Sequence, residues 1–250
     1  MIKNIFQGIK AYSGTLKLIN SLGLWKYFGI PTLISVLTAV TIGFLSWGWS
    51  DNIGSLISKI WIWEWGTETF SSISNFMGAI IILVIGFILY KHIVLALSAP
   101  FMSVVSSTIE SHLMGVQAPL SKSSNMGLLL RGVKINVRNL LLELLLSIPI
   151  ILFGFIPVIG IISSILLFLL QAYYAGFGNM DYTLERHLSY SESVRFVNKH
   201  KGVAIGNGIL FMLMLLIPVL GIILVLPLSV TAASTETIRI VKEYENKKNN

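Results

Sequence analysis

Long stretches without a charged residue dominate the chain, and they predict membrane-spanning helices. Residues 27–50 and 69–90 form two such stretches, of 24 and 22 residues. Each is long enough for a helix that crosses a bilayer core of about 30 Å. Beyond Lys91 the second stretch continues as an amphipathic segment, in which Pro100 is expected to bend or break the helix. We therefore predict spanning helices over 27–50 and 69–113.

Two further charge-free stretches are too long for one crossing each. Residues 144–180 and 203–235 comprise 37 and 33 residues, and a straight helix of the longer stretch would measure about 55 Å. Each stretch has an Ile-Pro-Val-x-Gly sequence near its middle, at 156–160 and 217–221. Proline ends a helix because it lacks an N–H group, and glycine permits a turn. The chain is predicted to reverse at four residues, namely Pro157, Gly160, Pro218 and Gly221.

The charge-free arms beside these turns contain only 12 to 17 residues. Helices of this length reach about 18–25 Å and fall short of a full crossing. We therefore predict two helical hairpins, over 140–180 and 203–235, which enter and leave the membrane on the same side. Their turns need cover from protein or from a water-filled cavity. The alternative is that each stretch holds two complete, tilted spans joined by a minimal loop.

Apolar residues recur at helical spacing within residues 1–26, and lysines lie beside them. This pattern predicts a helix in the membrane interface, with a soluble arm as the alternative. Residues 236–250 form a polar tail. The predicted fold is an all-α integral membrane protein, a single membrane domain over 1–250. It has two full transmembrane helices, two Pro-x-x-Gly hairpins that partly penetrate the bilayer, and an N-terminal interfacial helix.

Composition supports a membrane protein and argues against several other classes. The chain is 54% hydrophobic and 12% charged, whereas soluble domains carry about 25% charged residues. Cysteine is absent, which excludes disulfides and cysteine-ligated metals. We find no metal-ligand cluster, catalytic motif or nucleotide-binding motif, so we expect neither an enzyme nor a cofactor. The basic residues are scattered, which argues against nucleic acid as a partner.

The distribution of basic residues predicts the orientation of the chain. The N-terminal arm has four lysines and no acidic residue, whereas the tryptophan-rich segment 51–68 has more acidic than basic residues. Lysine and arginine accumulate in cytoplasmic segments. Both termini and the segment 110–140 are therefore expected in the cytoplasm of a multi-pass protein of the inner (plasma) membrane. The bias is modest outside the N-terminal arm, so insertion in both orientations stays open.

Several segments resemble the CysZ-type sulfate permeases, a family within a superfamily that includes the etoposide-induced membrane proteins. The resemblance extends over about residues 5–240. It implies an inner-membrane homo-oligomer that moves sulfate into the cytoplasm for cysteine biosynthesis. The segments are "GLWKYFGIP" (23–31), "LALSAPFMSVVSSTIE" (95–110), "IPVIG" (156–160), "GNMDYTLERHLSYSES" (178–193) and "IPVLG…PLSVTAAS" (217–234).

The resemblance places an anion-binding site at the segment Gly23, Leu24, Trp25 and Lys26. Sulfate-transporting members carry two arginines after the Gly-Leu pair, where this chain has Trp25 and Lys26. One positive charge remains, and a helix start near Gly23 can attract an anion. The planar donor fork of arginine is lost. Alternatively, Lys26 is an interfacial anchor whose ammonium group extends towards the headgroups.

Four other polar residues are candidates for lining a pore or a vestibule, namely Glu110, Asp181, Arg186 and His187. Glu110 is otherwise expected on a solvated face, and Asp181 as a helix cap or an ion-pair partner. Glu143 precedes the first hairpin, and we expect Arg138 or Asn139 to compensate its charge.

Two functions follow from these observations. The first is a channel or permease for sulfate or a related small oxyanion, with membrane lipid and a second copy of the chain as further partners. The second is a non-transporting membrane protein that organises the membrane or binds a partner through its hairpins.

Overall fold

A computed structural model describes residues 1–59, 67–119, 121, 123–154, 156, 159–217 and 219–249. Within these residues the regular structure consists of ten α-helices, without a strand. The all-α prediction is therefore confirmed for the described residues. The helices are α1 (Ile2–Lys10), α2 (Thr15–Ser21), α3 (Trp25–Ser58), α4 (Thr67–Leu97), α5 (Ala99–Met114), α6 (Asn125–Gly154), α7 (Ile159–His187), α8 (Tyr190–Lys199), α9 (Lys201–Leu215) and α10 (Leu220–Asn249).

Four helices are long and apolar enough to cross a bilayer: Trp25–Leu56, Asn125–Gly154, Ile159–His187 and Gly221–Glu243. A fifth candidate is the pair Ile85–Leu97 and Ala99–Met114, whose axes are bent by 64°. The break falls just before Pro100, the second residue of α5, where the missing N–H of proline is tolerated. The chain is thus a multi-pass membrane protein.

Helices α3 and α4 form a long antiparallel pair in which small residues allow close contact. A Cβ atom added at Gly54 would lie 2.5 Å from the Cα of Asn75, and one at Gly86 would lie 2.3 Å from Cγ2 of Ile42. The outward surfaces of both helices are rich in exposed apolar side chains. In a bilayer such surfaces contact lipid without cost.

Helices α6 and α7 also pack antiparallel, as do α9 and α10. Gly154 of α6 lies beside Ser163 of α7, and Gly221 of α10 lies beside Met214 of α9. The helices end and restart at the two Ile-Pro-Val-x-Gly sequences, although Pro157 and Pro218 lie outside the described residues.

Gly160 and Gly221 do not serve as the flexible turn residues that the sequence predicted. Both lie inside the first turn of a helix, and the only non-glycine residue with positive φ among those described is Val219, at 64°. What these glycines allow is close approach of two helices. A Cβ atom added at Gly160 would lie 2.8 Å from the carbonyl oxygen of Gly154. One added at Gly221 would lie 2.0 Å from the carbonyl oxygen of Met214.

The helices are longer than the charge-free arms from which the hairpins were predicted. Helices α6, α7 and α10 have 30, 29 and 30 residues, so each measures about 45 Å. Only α9, with 15 residues, has the predicted arm length. Helices α6 and α7 continue past their charge-free stretches, and charged residues in those extensions, such as Glu143, Asp181 and Arg186, are paired inside the protein, as described below. Arm length alone therefore cannot define how deeply these helix pairs enter a membrane.

The N-terminal segment forms two helices where the sequence predicted one interfacial helix over 1–26. Helix α1 ends at Lys10 and α2 begins at Thr15, after Gly14 with a φ of 85°. Helix α1 packs on α9, and α2 contributes the buried Ile19 to the main core.

Candidate functional site

The predicted anion-binding segment lies at the junction of α2 and α3. Gly23 has a φ of 60°, and Leu24 is fully buried in the core. Trp25 begins α3, and its Nε1 donates to Oδ1 of Asn20 at 2.6 Å. Lys26 is exposed, with Nζ 5.0 Å from the centre of the Tyr27 ring. The N-terminal end of α3, which carries a positive partial charge, thus lies beside the exposed ammonium group of Lys26.

Glu110, Arg186 and His187 meet in one buried cluster between α5 and α7. The Nη2 and Nε atoms of Arg186 donate to Oε2 of Glu110 at 2.8 and 3.0 Å. Nε2 of His187 lies 2.7 Å from Oε1 of the same carboxylate. Arg186 also donates to Oγ of Ser106 at 2.8 Å and to the Tyr182 carbonyl at 3.0 Å. Glu110 is therefore not on a solvated face, because these partners compensate its burial.

Asp181 belongs to a neighbouring ion pair between α6 and α7. Nη2 and Nε of Arg131 donate to its two carboxylate oxygens at 2.8 and 3.0 Å, the bidentate geometry that suits arginine. Asp181 lies inside α7, so the expectation that it caps a helix is wrong. It does form an ion pair, but with Arg131 of α6 and not with the neighbouring Arg186, which pairs with Glu110. Glu185, one turn further on, accepts from the hydroxyls of Ser103 and Ser121 at 2.6 and 2.9 Å.

A third buried cluster joins Lys91 and His92 of α4 to Glu143 of α6. Nζ of Lys91 lies 2.6 Å from Oε1 of Glu143, and Nε2 of His92 lies 3.0 Å from Oε2. Lys91 Nζ also lies 3.4 Å from the Gln171 carbonyl of α7. The expected partners of Glu143 are therefore wrong, because Arg138 donates instead to Oδ1 of Asn139 at 3.0 Å. A lysine and a histidine that interrupt an apolar stretch were the signal that could have identified this cluster.

Glu143 of the third cluster belongs to a row of buried polar residues along one face of α6, which we call the polar stripe: Asn136, Asn139, Glu143 and Ser147. All four residues are buried and recur at intervals of three or four residues, so they line one side of the helix over about 16 Å. Beside the stripe, the Nδ2 atom of Asn139 and the Oε1 atom of Gln171 are buried without a hydrogen-bond partner.

Next to Arg131 and Asp181 lies a cavity of about 10 Å³, which has room for roughly one water molecule. It is lined by side chains of α5, α6 and α7, including Ser103 and Glu185. Within the described part of the chain, no group of three histidines or acidic residues could hold a metal ion. The site is thus a set of neutralised ion pairs linked by amides and hydroxyls inside an apolar bundle.

Of the sequence-predicted residues, the structure brings Glu110, Arg186 and His187 into one cluster and places Asp181 in the adjoining ion pair. The segment 23–26 is separate from them, at the protein surface. Lys91, His92 and Arg131 had not been predicted as site residues.

A comparison with models of protein families identifies the family of this chain. The family model described as sulfate transporter CysZ/etoposide-induced protein 2.4 matches residues 12–225. The chain belongs to this family.

The match confirms the resemblance that the sequence motifs indicated. In this member of the CysZ/etoposide-induced protein family, the matched region extends from the loop between α1 and α2 into the first turns of α10. It includes the junction at 23–26 and the acidic and basic residues of the three buried clusters. The family is a transporter-type family and not an enzyme family. No curated protein matches the sequence.

Proposed function

We propose that the protein is a channel or permease that moves sulfate, or a related small oxyanion, into the cytoplasm without nucleotide hydrolysis. The match of the CysZ family model to residues 12–225 carries this proposal. The buried polar clusters support it, because ionisable residues inside membrane helices are costly and commonly mark ion pathways. We propose that the protein acts in the inner membrane with both termini in the cytoplasm, and the lysines of the N-terminal arm support that orientation.

The ends of the helix pairs support hairpins that penetrate the membrane only in part. Leu215 and Ile222, beside the second Ile-Pro-Val-x-Gly sequence, share a cavity with Ile42 of α3 and Leu83 of α4. Ile42 lies eight residues before the end of the charge-free stretch at Ser50. Leu215 and Ile222 therefore lie beside α3 about 12 Å before that stretch ends. This geometry favours a fold-back within the apolar layer over a complete crossing.

Apolar side chains at the hairpin ends support a homo-oligomer. Ile161 is 71% exposed and Val219 is 65% exposed, and polar headgroup-seeking side chains are missing from the sequences 154–160 and 215–221. Backbone groups at such turns require cover by protein or water. A second copy of the chain would supply that cover, and oligomers of identical chains are the usual arrangement.

The anion is proposed to bind on the cytoplasmic side at the junction of α2 and α3. The N-terminal end of α3 and the ammonium group of Lys26 attract it there. The arginines of the buried clusters already bond to carboxylates. Passage past these clusters would therefore require the arginines to exchange carboxylate partners for the anion. Amide groups without partners, such as Asn139 Nδ2, are available to donate to it.

Uptake of radioactive sulfate by proteoliposomes tests this function. We expect an inward flux down a sulfate gradient that unlabelled sulfate competes away more strongly than chloride. Lys26→Ala should reduce the flux at low sulfate concentration. Lys59→Ala, which removes an exposed lysine near the other end of α3, should leave it unchanged. Flux no greater than in protein-free liposomes would refute transport of sulfate.

One observation favours the second candidate, a non-transporting protein that organises the membrane or binds a partner. The described ion pairs are internally neutralised, and the cavity beside Arg131 and Asp181 has a volume of only about 10 Å³. A cavity of that volume is too small for a sulfate ion. If the proteoliposomes show no flux of any anion while the protein remains folded, this second function is supported.

A further inference from the structure

The N-terminal region has an unusual charge distribution. Residues 1–50 contain four lysines and no acidic residue, and the first acidic residue is Asp51. All four lysines are exposed, namely Lys3, Lys10, Lys17 and Lys26. We call the surface formed by α1, α2 and the start of α3 the N-terminal platform. Its positive charge is not balanced by any carboxylate of its own.

The platform is held rigidly on the helix bundle. A Cβ atom at Gly8 would lie 2.5 Å from the Val203 carbonyl oxygen, and one at Gly206 would lie 2.1 Å from the Ile5 carbonyl oxygen. The hydroxyl of Tyr12 donates to the carbonyl of Asn207 at 2.8 Å. These contacts fix which face of α1 is turned towards α9. The opposite face is therefore presented in one orientation.

Large apolar side chains share this outward surface with the lysines. Ile2 and Phe6 are one helical turn apart on α1, and Lys3 and Lys10 are two turns apart along its edge. An apolar strip bordered by lysines matches an interfacial helix. The exposed apolar residues of the platform are Ile2 (70%), Phe6 (65%), Leu16 (52%) and Trp25 (42%).

The position of the platform selects the kind of partner. Helix α3 enters its charge-free stretch directly after Lys26, so the platform lies where the chain meets the membrane surface. We propose that the N-terminal platform binds acidic phospholipids, with its lysines on the headgroup phosphates and its apolar side chains among the upper acyl carbons. A small water-soluble anion would leave Ile2 and Phe6 in water. This inference does not depend on the transport of sulfate.

Lipid titration of the full-length protein in a neutral detergent tests the proposal. Phosphatidylglycerol should raise the melting temperature and bind more tightly than phosphatidylcholine. Each lysine near an anionic surface contributes about fivefold in binding, so the triple variant Lys3→Gln, Lys10→Gln and Lys17→Gln should weaken phosphatidylglycerol binding by about a hundredfold.

The matched control is the triple variant Lys59→Gln, Arg195→Gln and Lys242→Gln, which removes the same charge from exposed positions elsewhere. Its affinity should change by less than fivefold. An equal loss in both triple variants would overturn the proposal, as would equal binding of the two lipids by the unaltered protein. Stabilisation by inorganic phosphate at the same concentrations would overturn it too, since it would indicate an ion site and not a lipid surface.

A second measurement reports on the apolar side chains and does not depend on lysine variants. The chain has no cysteine, so Phe6→Cys provides a single attachment point for an environment-sensitive fluorophore. In vesicles, lipids with a quencher high on the acyl chain should quench this probe strongly. The same probe at Ser191→Cys, an exposed position on α8, should be quenched weakly. Equal quenching at the two positions would overturn the proposed insertion of α1.

Discussion

Lys91 and Glu143 form a salt bridge between α4 and α6, with 2.6 Å between Nζ and Oε1 and with side chains that are 0% and 1% exposed. Two charges removed from water in this way are costly unless each compensates the other. His92 occupies the second carboxylate oxygen of Glu143 at 3.0 Å. The pair therefore fixes the position of α4 relative to the polar stripe of α6.

Removing one member of this pair should be far more damaging than removing both. Lys91→Met leaves the buried Glu143 carboxylate with His92 as its remaining partner, at a cost of up to about 3–5 kcal/mol. The double variant Lys91→Met with Glu143→Gln removes both charges, keeps an amide oxygen as partner for His92, and should recover most of that stability. Thermal unfolding in detergent, followed by tryptophan fluorescence, measures both.

A control for this comparison is Arg239→Met. Arg239 forms a pair with Glu236 in which the arginine side chain is 44% exposed, and such pairs are worth about 0–1 kcal/mol. If Lys91→Met were no less stable than the double variant, the salt bridge between α4 and α6 would not be a structural constraint.

The sequence was sufficient to predict the apolar helices and the places where they break. Charge-free stretches around residues 27–50 and 144–180 became α3 and the α6–α7 pair, and the break before Pro100 is where proline tolerates a helix start. These features depend on local composition alone. The family was recognisable because its motifs are local as well.

The partners of the buried charges could not be predicted from local sequence. Glu143 is 52 residues from Lys91, and Asp181 is 50 residues from Arg131. Sequence proximity favoured Arg138 for Glu143, but that arginine lies on another side of α6 and bonds to Asn139. For the same reason helix length was underestimated, because a charged residue ends an apolar stretch without ending a helix whose packing compensates the charge.

Glycines between α7 and α9 should be intolerant of even a methyl group. A Cβ atom at Gly208 would lie 1.7 Å from the Ala172 carbonyl oxygen, so Gly208→Ala must separate the two helices and should cost about 1–3 kcal/mol or more. The matched control is Gly43→Ala in α3, where nothing lies within 4 Å. That change should stabilise by up to about 1 kcal/mol through helix propensity. Melting temperatures that move in the same direction for both variants would contradict this account of α7–α9 packing.

His200, between α8 and α9, should make stability depend on pH. Burial lowers the pKa of His200, and the hydrogen bond of its Nδ1–H to the Phe196 carbonyl, at 2.9 Å, acts in the opposite direction. The folded protein therefore binds a proton at His200 less readily than the unfolded chain does, whose histidine pKa is about 6.5. Its contribution to stability is fully present above that pH and is lost as the pH falls through the lower folded pKa.

The comparison of unaltered protein with His200→Phe between pH 8 and pH 5 measures this effect. Phenylalanine keeps the ring contact with Phe196, whose ring centre lies 4.4 Å from that of His200. The variant should show a shallower fall in melting temperature on acidification. Lys199 opposes protonation of His200 and Glu243 favours it, so Glu243→Gln should steepen the fall. Identical pH profiles for the three proteins would exclude His200 as the titrating group.

Cysteine labelling measures how deeply the hairpins enter the membrane. Ile156 and Ile217 lie at the ends of the two helix pairs, and both are about half exposed in a single chain. If these ends stop inside the apolar layer, then Ile156→Cys and Ile217→Cys should not react with a membrane-impermeant maleimide added to either side of sealed vesicles. Asn52→Cys, an exposed position just beyond the charge-free stretch of α3, should react from one side only. The unaltered chain has no cysteine, so no background labelling interferes.

The contrary outcome is reaction of both Ile156→Cys and Ile217→Cys from the same side as Asn52→Cys and at a comparable rate. It would show that the helices of the α6–α7 and α9–α10 pairs cross the membrane completely.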